Sequence, residues 1–157
     1  MREVKPMKNF SIQEIKDSHQ KAAIVREVLH DLPEGFGLPE STKEYIENSK
    51  RLRLWAAFSN EHVIGCIVSK ETSEDTAEIY VMGVKKAFHK MGIGRQLFEV
   101  FENELKRTYK YIQVKTVDEG DYPEYDQSIL FYEKMGFSKL EVFSQMWDPW
   151  NPCLIMS

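Results

Sequence analysis

Short segments of alternating apolar and polar residues, together with brief apolar runs bounded by turn residues, recur along the chain and predict β-strands. The segment 59–62 is polar throughout and lies between two of these runs, so it predicts a hairpin. The predicted strands cover residues 10–15, 52–58, 63–69, 76–84, 111–117, 137–143 and 153–156.

Other segments place apolar residues at the spacing of a helix face. Residues 19–30 predict a first helix, which the segment 32–39, rich in proline and glycine, ends. Ser41 with Glu44 forms a capping box, which predicts that a second helix starts there.

Two further helices are predicted in the second half of the chain. Residues 125–135 form one of them, and Gly136 is suited to the left-handed position that follows a helix. The other is long and amphipathic, with one apolar stripe formed by Ile93, Leu97, Phe101 and Leu105.

The order of these elements is β, two helices, an antiparallel β-meander, helix, β, helix, β, β. It predicts an α/β (α+β) fold with a mixed, mostly antiparallel central sheet and helices on both faces. A right-handed crossover makes strand 111–117 parallel to strand 76–84. Repeats and linker-like tracts are missing, so residues 1–157 are expected to form a single domain.

Composition narrows the kinds of molecule that the protein could bind and the cell compartment in which we expect it. The net charge is −4 and apolar runs of about 18 residues are missing, which argues against non-specific nucleic-acid binding and a membrane span. The N-terminal residues have no apolar segment typical of a secretory signal. Cys66 and Cys153 are expected to be free thiols, so we expect a cytoplasmic protein.

The turn after strand 76–84 has the chemistry of a pyrophosphate site. It leads through Gly92 and Gly94 into a helix start, where free amides and the helix dipole favour an anion. No acid interrupts the basic residues of this segment, which are Lys85, Lys86, Lys90 and Arg95. Leu97 replaces the third glycine of the dinucleotide fingerprint, and the P-loop spacing is not met, so both of those motifs are rejected.

A second charged segment is acidic and suits a cation, or is simply a solvated loop. Its carboxylates are Asp118, Glu119, Asp121, Glu124 and Asp126. The histidines fit no metal-ligand spacing, so no metal is proposed.

Two motifs together resemble the GNAT superfamily of acyl-CoA-dependent N-acetyltransferases. Residues 89–94, His-Lys-Met-Gly-Ile-Gly, match its Arg/Gln-x-x-Gly-x-Gly/Ala signature, and residues 131–137, Phe-Tyr-Glu-Lys-Met-Gly-Phe, match its late Phe-Tyr-x-x-x-Gly-Phe segment. The resemblance extends from Phe10 onward. Two positions depart from the pattern, because His89 replaces Arg or Gln and Tyr125 replaces a common Asn.

The resemblance implies that strands 76–84 and 111–117 splay apart and that the pantetheine of acetyl-CoA enters between them. Backbone groups of Met82 and Val84 would bind its amides. Gly83 lies between them, either at a bulge or in close packing against a helix. The residues implied at the pyrophosphate are His89, Lys90, Met91, Gly92, Ile93, Gly94 and Arg95.

The resemblance implies one candidate catalytic group, and position on a strand indicates a second. Tyr132 matches the usual general acid for the departing thiolate, although on its helix face alone it would be a core residue. Glu78 is expected on the same side of its strand as Tyr80 and Met82, where it takes the proton of the amine directly or through water; the alternative is a solvated carboxylate.

The acceptor is the least determined part. Asp118 and Glu119 could attract a cationic amine, and Tyr80, Phe36 or Trp55 could contact its body, although these aromatics could equally be core. The expected reaction is direct acetyl transfer to a primary amine of a small molecule. The alternatives are a protein or peptide acceptor, or a non-catalytic acyl-CoA-binding module. A homodimer through the late strands is compatible with the fold, but no residue determines it.

Overall fold

The computed structural model describes residues 9–32, 39–117, 123–144, 146–147 and 153–157. Four α-helices lie in this part of the chain: α1 (Ser18–His30), α2 (Pro39–Ser49), α3 (Ile93–Leu105) and α4 (Pro123–Lys134). The strands in the same part are β1 (Ser11–Ile15), β2 (Arg53–Ser59), β3 (His62–Ser73), β4 (Thr76–Val84), β5 (Tyr111–Val117), β6 (Lys139–Phe143) and β7 (Cys153–Met156). The side chains of residues 39, 117 and 123–126 are outside the description.

The strands form one sheet in the order β1-β2-β3-β4-β5-β7-β6. β4 and β5 are parallel, and the other neighbouring pairs are antiparallel. The parallel pair is joined through α3, as a crossover connection requires. The predicted mixed, mostly antiparallel α/β fold is confirmed.

Each face of the sheet has its own buried cluster. On the α3/α4 face, the predicted stripe of Ile93, Leu97, Phe101 and Leu105 is buried against the strands. On the α1/α2 face, Val25, Val28 and Leu29 of α1 pack on β2 and β3 with Leu54 and Val68. Cys66 lies in this second cluster and is a small core residue, as expected, with burial raising its pKa to about 12.

Several predicted boundaries are shifted: β3 extends to Ser73, β6 begins at Lys139 and α4 begins at Pro123. Two further differences have a clear local cause. α2 begins at Pro39 rather than at Ser41. Proline has its φ fixed near the helical value and lacks the amide that a first turn leaves unpaired, so it suits the first helical position and puts Ser41 inside the turn. The hairpin loop is two residues rather than four, because Asn60 and Glu61 take positive φ values of 49° and 67°, as a tight primed turn requires.

In the described ranges, no helix combines the length and the apolarity that a membrane crossing requires.

An ion pair holds β1, the edge strand, to the sheet. Arg53 on β2 donates Nε to Oε2 and Nη2 to Oε1 of Glu14, at 3.0 and 2.8 Å, so the contact is bidentate. These hydrogen bonds hold the pKa of Glu14 at about 2, well below its ordinary value of 4.5, although burial opposes the shift and Lys16 adds to it.

We predict that Glu14→Gln lowers the free energy of unfolding at pH 7 by about 1–2 kcal/mol. This is less than the pKa shift of Glu14 alone would give, because Arg53 is partly exposed and solvent screens the pair. The folded-state pKa is depressed, so this contribution is present above about pH 5 and is lost as the pH falls towards 2. Urea unfolding between pH 7 and pH 3 measures it: wild type and variant should converge at low pH. Glu47→Gln, which removes a more exposed pair with Lys50, is the control. A constant difference across the range would contradict the prediction.

Candidate active site

β4 and β5 pair along only part of their lengths. The register runs from Thr76 opposite Tyr111 to Ile79 opposite Val114. Beyond that point β4 pairs with β3, and β5 pairs with β7, on their outer sides. Among the described residues nothing joins 80–84 to 115–117, so the two strands enclose an opening, called here the β4–β5 gap.

Backbone groups of β4 face this gap at alternate residues. The amide of Lys85 donates to the carbonyl of Ile64 on β3 at 2.8 Å. Antiparallel pairs alternate between hydrogen-bonded and non-hydrogen-bonded, so Met82 and Val84, opposite Ile67 and Gly65, occupy the non-hydrogen-bonded positions. Their N–H and C=O groups therefore point away from β3, towards the gap.

A β-bulge at Tyr80 changes which side chains share a face. Ile79 pairs with Ser69 and Val81 pairs with Val68, which leaves Tyr80 as the extra residue. Tyr80 and Val81 consequently both pack on the α1/α2 face, and Met82 packs on the α3/α4 face. The expectation that Glu78, Tyr80 and Met82 share one side is correct for the first two and wrong for Met82.

Gly83 pairs in register with Cys66, so the bulge expected at Gly83 lies three residues earlier. Gly83 itself packs closely against Val28 of α1 and against Leu32, two residues beyond the end of that helix. A Cβ at this position would lie 2.9 Å from Leu32 Cδ1 and 3.0 Å from Val28 Cγ1. Of the two roles expected for Gly83, a bulge or close packing against a helix, the geometry supports close packing.

The turn of residues 89–95, called here the cradle, contains backbone amides that have no acceptor within the helix. Lys90 and Gly92 have left-handed backbones, with φ values of 62° and 81°, and such turns direct successive N–H groups to one side. Gly92 precedes α3, and the first amide that bonds within the helix is that of Gln96, to the Gly92 carbonyl at 3.1 Å. The amides of Ile93, Gly94 and Arg95 therefore have no intrahelical acceptor.

An acid of α1 and the acid that follows the helix contact the basic turn, which the sequence did not indicate. Glu27 makes a short ion pair with Lys85, and Asp31 accepts the backbone amide of Lys86 at 2.7 Å. Arg95 is exposed and lies 3.8 Å from the exposed Glu99 of the next helical turn, a pair of little energetic weight. The positive field at the cradle therefore depends on the helix start and on Lys90 and Arg95 more than on Lys85.

His89 connects the cradle to the gap. Its Nε2 lies 2.5 Å from the carbonyl oxygen of Val84, so this nitrogen carries the proton and donates to that oxygen. Its backbone amide donates to the Lys86 carbonyl at 3.2 Å. The ring thus occupies one of the backbone acceptors that face the gap.

The late aromatic motif forms the end of α4. Gly136 has a φ of 100°, and the amides of Gly136 and Phe137 donate to the carbonyls of Glu133 and Tyr132, both at 3.0 Å. This is the hydrogen-bond pattern of a Schellman motif, in which the residue after the glycine contacts the side chain five positions earlier. The rings of Phe137 and Tyr132 make that contact, with centroids 5.6 Å apart. The motif thereby fixes Tyr132 in orientation.

Tyr132 is half-buried in the α3/α4 cluster, between the rings of Phe131 and Phe137. Burial in these apolar surroundings raises its pKa to about 12, so the phenol is neutral and able to donate at pH 7. Phe131 in turn abuts the cradle, because a Cβ on Gly94 would lie 3.3 Å from its ring and 3.7 Å from Met82 Cε. Tyr132 therefore lies beside the point where α3, α4 and the gap side of β4 meet.

Glu78 is buried on the opposite face, and its carboxylate is held from β5. Gln113 Nε2 donates to Glu78 Oε1 at 3.0 Å, and Lys115 Nζ lies 3.2 Å from the same oxygen. Beside it, Tyr80 accepts a hydrogen bond from Asn48 Nδ2 of α2 at 2.9 Å. Burial raises the pKa of Tyr80 against the opposing effect of that hydrogen bond, and the charges of Glu44 and Glu78 add to the increase.

Sequence reasoning missed Gln113, Lys115 and Asn48. Gln113 and Lys115 alternate with apolar residues on β5, so their shared face with Glu78 could have been found by aligning the parallel strands. Asp118, Glu119 and Phe36 lie outside the described residues. Trp55 is 2% exposed and packs on Phe101 in the α3/α4 core, which is incompatible with a role in the acceptor site.

Two cavities lie outside the β4–β5 gap, and the smaller of them is lined in part by Gly136 and Phe137. One of about 280 Å³ lies beside the start of β5 and the end of α3, and one of about 530 Å³ lies beside β1. Within the described ranges, His, Cys, Asp and Glu side chains form no group of three that could hold a metal ion.

Comparison with known proteins identifies the class. The sequence profile described as "Acetyltransferase (GNAT) domain" matches residues 50–139, more than half of the chain. The chain therefore belongs to the GNAT acetyltransferases, which are acyl-CoA-dependent N-acetyltransferases. No curated protein matches it.

Solved structures share the fold at low identity. A GNAT-family acetyltransferase from Desulfovibrio desulfuricans is 20% identical, with a TM-score of 0.80 over 94% of this chain and 96% of that one. A GNAT acetyltransferase from Elizabethkingia anophelis, with acetyl-CoA bound, is 20% identical, with a TM-score of 0.73 over 96% and 97%. The ribosomal-protein-S18-alanine N-acetyltransferase of Escherichia coli is 18% identical, with a TM-score of 0.70 over 94% and 91%.

We predict that Gly83→Ala lowers the free energy of unfolding by about 1–2 kcal/mol, because the new methyl group overlaps Leu32 and Val28. Gly94→Ala is the matched control: its methyl group meets the Phe131 ring at 3.3 Å, and the better helix propensity of Ala offsets that contact. Urea unfolding of both variants measures the difference. Equal stability of Gly83→Ala and wild type would contradict the packing role.

Proposed function

We propose that residues 1–157 form one domain that transfers the acetyl group of acetyl-CoA directly to a primary amine, with a small molecule as the acceptor. The observation that carries this proposal is the β4–β5 gap, an unpaired strand edge at the centre of the sheet. A candidate proton acceptor borders it on one face and a candidate proton donor on the other. The two free, buried thiols support a cytoplasmic location.

The residues along β4 and the cradle fit acetyl-CoA. An extended pantetheine arm carries amides that can bond to the N–H and C=O groups of Met82 and to the N–H group of Val84, as an added strand would. Its pyrophosphate suits the free amides of Ile93, Gly94 and Arg95, beside the left-handed Gly92. In this proposal His89 does not bind the pyrophosphate. Its ring donates a hydrogen bond to the Val84 carbonyl and so fixes the orientation of that group.

Removal of the amine proton is assigned to Glu78. An alkylamine with a pKa near 10 is neutral in only about one molecule in a thousand at pH 7, so it must lose a proton before it attacks. Glu78 lies in the strand that lines the gap, and the hydrogen bond from Gln113 and the nearest approach of Lys115 both fall on its Oε1. Oε2 accepts no hydrogen bond from these two residues. That oxygen can accept the proton directly or through a water.

Release of the thiol is assigned to Tyr132. As the nitrogen–carbon bond forms and the carbon–sulfur bond breaks, the electron pair of the broken bond stays on sulfur, which then needs a proton. A neutral phenol can supply it or bond to the developing charge. The raised pKa of Tyr132 is suited to this role because the same apolar surroundings also raise the proton affinity of a thiolate.

The closeness of α2 favours a small acceptor. Asn48 bonds to Tyr80, and the ring of Tyr45 meets that of Tyr80 edge-on with centroids 5.1 Å apart. α2 is therefore fastened to β4 two residues from Glu78, which narrows the approach to the α1/α2 face. The alternative acceptor is a protein or peptide N-terminus, favoured by the likeness in fold to an enzyme that acetylates a ribosomal protein.

Calorimetry with acetyl-CoA tests the cradle. We predict that Gly92→Ala weakens acetyl-CoA binding about tenfold or more, because an L side chain at a φ of 81° is strained and turns the amides away. Gly94→Ala, whose backbone is helical and whose position accepts Ala in the family signature, should bind within about threefold of wild type. Loss of binding in both or in neither variant would contradict the assignment of Gly92.

Thiol release tests the transfer, with polyamines, aminoglycosides, amino acids and basic peptides as acceptors. Tyr132→Phe should lower kcat about 100-fold and leave acetyl-CoA affinity unchanged, because Phe keeps the ring contacts but cannot donate. Tyr111→Phe, at an exposed position at the start of β5, is the control. Glu78→Gln should also lower kcat.

These measurements also separate the rival functions. Acetyl-CoA binding without release from any acceptor, and without an effect of Tyr132→Phe, would favour a non-catalytic acyl-CoA-binding module. Release with basic peptides alone would favour the protein acceptor.

A further inference from the structure

Two side chains of β5 converge on a single oxygen of Glu78. Gln113 Nε2 and Lys115 Nζ lie 3.0 and 3.2 Å from Oε1. The Glu78 side chain is only 7% exposed, whereas that of Lys115 is 32% exposed. The carboxylate is thus anchored through Oε1, and Oε2 receives no hydrogen bond from Gln113.

Lys115 makes this contact across the β4–β5 gap. Glu78 pairs with Gln113, and the last pair of the two strands is Ile79 with Val114. Lys115 follows immediately, on the diverging part of β5, and its side chain reaches back to β4. The ion pair therefore closes the apex of the gap on the α1/α2 face.

We propose that Lys115 is a positioning residue for acetyl transfer: its contact with Oε1 fixes the orientation of the Glu78 carboxylate and leaves Oε2 for the proton of the amine. This inference rests on the proposed function, because it presumes that Glu78 accepts the proton. Without the ammonium group, the buried carboxylate would lose the cation that contacts it and would be free to rotate away from the amine.

The other charged groups near Glu78 do not replace Lys115. Lys70 on β3 lies opposite Glu78, but its ammonium is placed over the Tyr80 ring, 5.4 Å from the centroid. Glu44 on α2 and the buried Cys153 on β7 offer no positive charge. Among the described residues, Lys115 is the cation in contact with the carboxylate.

Kinetics on the full chain test the role in transfer. Lys115→Met should lower kcat about 10- to 100-fold, because misplacement of a reacting group by a fraction of an ångström slows the chemical step. Acetyl-CoA affinity, measured by calorimetry, should stay within about twofold. Lys115→Arg should recover most of the rate because it keeps the charge, and Lys110→Met, an exposed lysine at the other end of β5, should match wild type.

A second measurement is independent of turnover. In a double-mutant cycle, the urea midpoint lost in Lys115→Met should be smaller when Glu78→Gln is already present, because the uncompensated buried charge is then gone. Losses that simply add would show that the pair does not exist in solution and would overturn the inference.

Two kinetic results would also overturn it. One is an unchanged kcat in Lys115→Met. The other is a parallel loss of acetyl-CoA affinity, which would mean that Lys115 sets the width of the gap rather than the position of the base. If the wild type releases no thiol with any acceptor, the proposed function fails and the positioning role falls with it, while the stability cycle still reports on the ion pair.

Discussion

The early end of the pairing between β4 and β5 is the constraint on which the rest of the structure depends. Buried backbone groups need hydrogen-bond partners, and β4 has them on β5 only as far as Ile79. β3 and β7 hold the outer sides of the two strands, so neither can turn to satisfy the groups exposed in the gap. A strand edge therefore stays open at the centre of the sheet, where an extended molecule with its own amides can complete the ladder.

The two faces of the sheet give this opening two different chemistries. On the α3/α4 face, the Schellman motif at Gly136 holds Tyr132 in an apolar setting that keeps its phenol neutral. On the α1/α2 face, the bulge at Tyr80 keeps that ring beside Glu78 and directs Met82 to the other side. The proposed proton acceptor, Glu78, and the proposed proton donor, Tyr132, thus lie on opposite faces of the sheet, with the gap between them.

Residues distant in sequence lower the positive charge next to the cradle. Glu27 of α1 forms an ion pair with Lys85, and Asp31, which follows α1, accepts the amide of Lys86. These contacts attach α1 to the turn and reduce the positive field there. The proposed binding of the pyrophosphate would then depend chiefly on backbone amides and on the dipole of α3, which begins after the left-handed Gly92. Backbone donors held in this way lose little freedom on binding, in contrast to flexible lysine side chains.

The sequence alone determined the strands, the helices, the parallel crossover and the two glycine motifs, because each depends on local periodicity or on a backbone angle that glycine favours. Only the tertiary structure decided that Met82 leaves the face of Glu78, since a bulge arises from the register between two strands. The same holds for the contact of Lys115 with Glu78, which joins strands that are adjacent only after α3 has crossed the sheet. Such contacts lie between residues far apart in the chain, and no local pattern contains them.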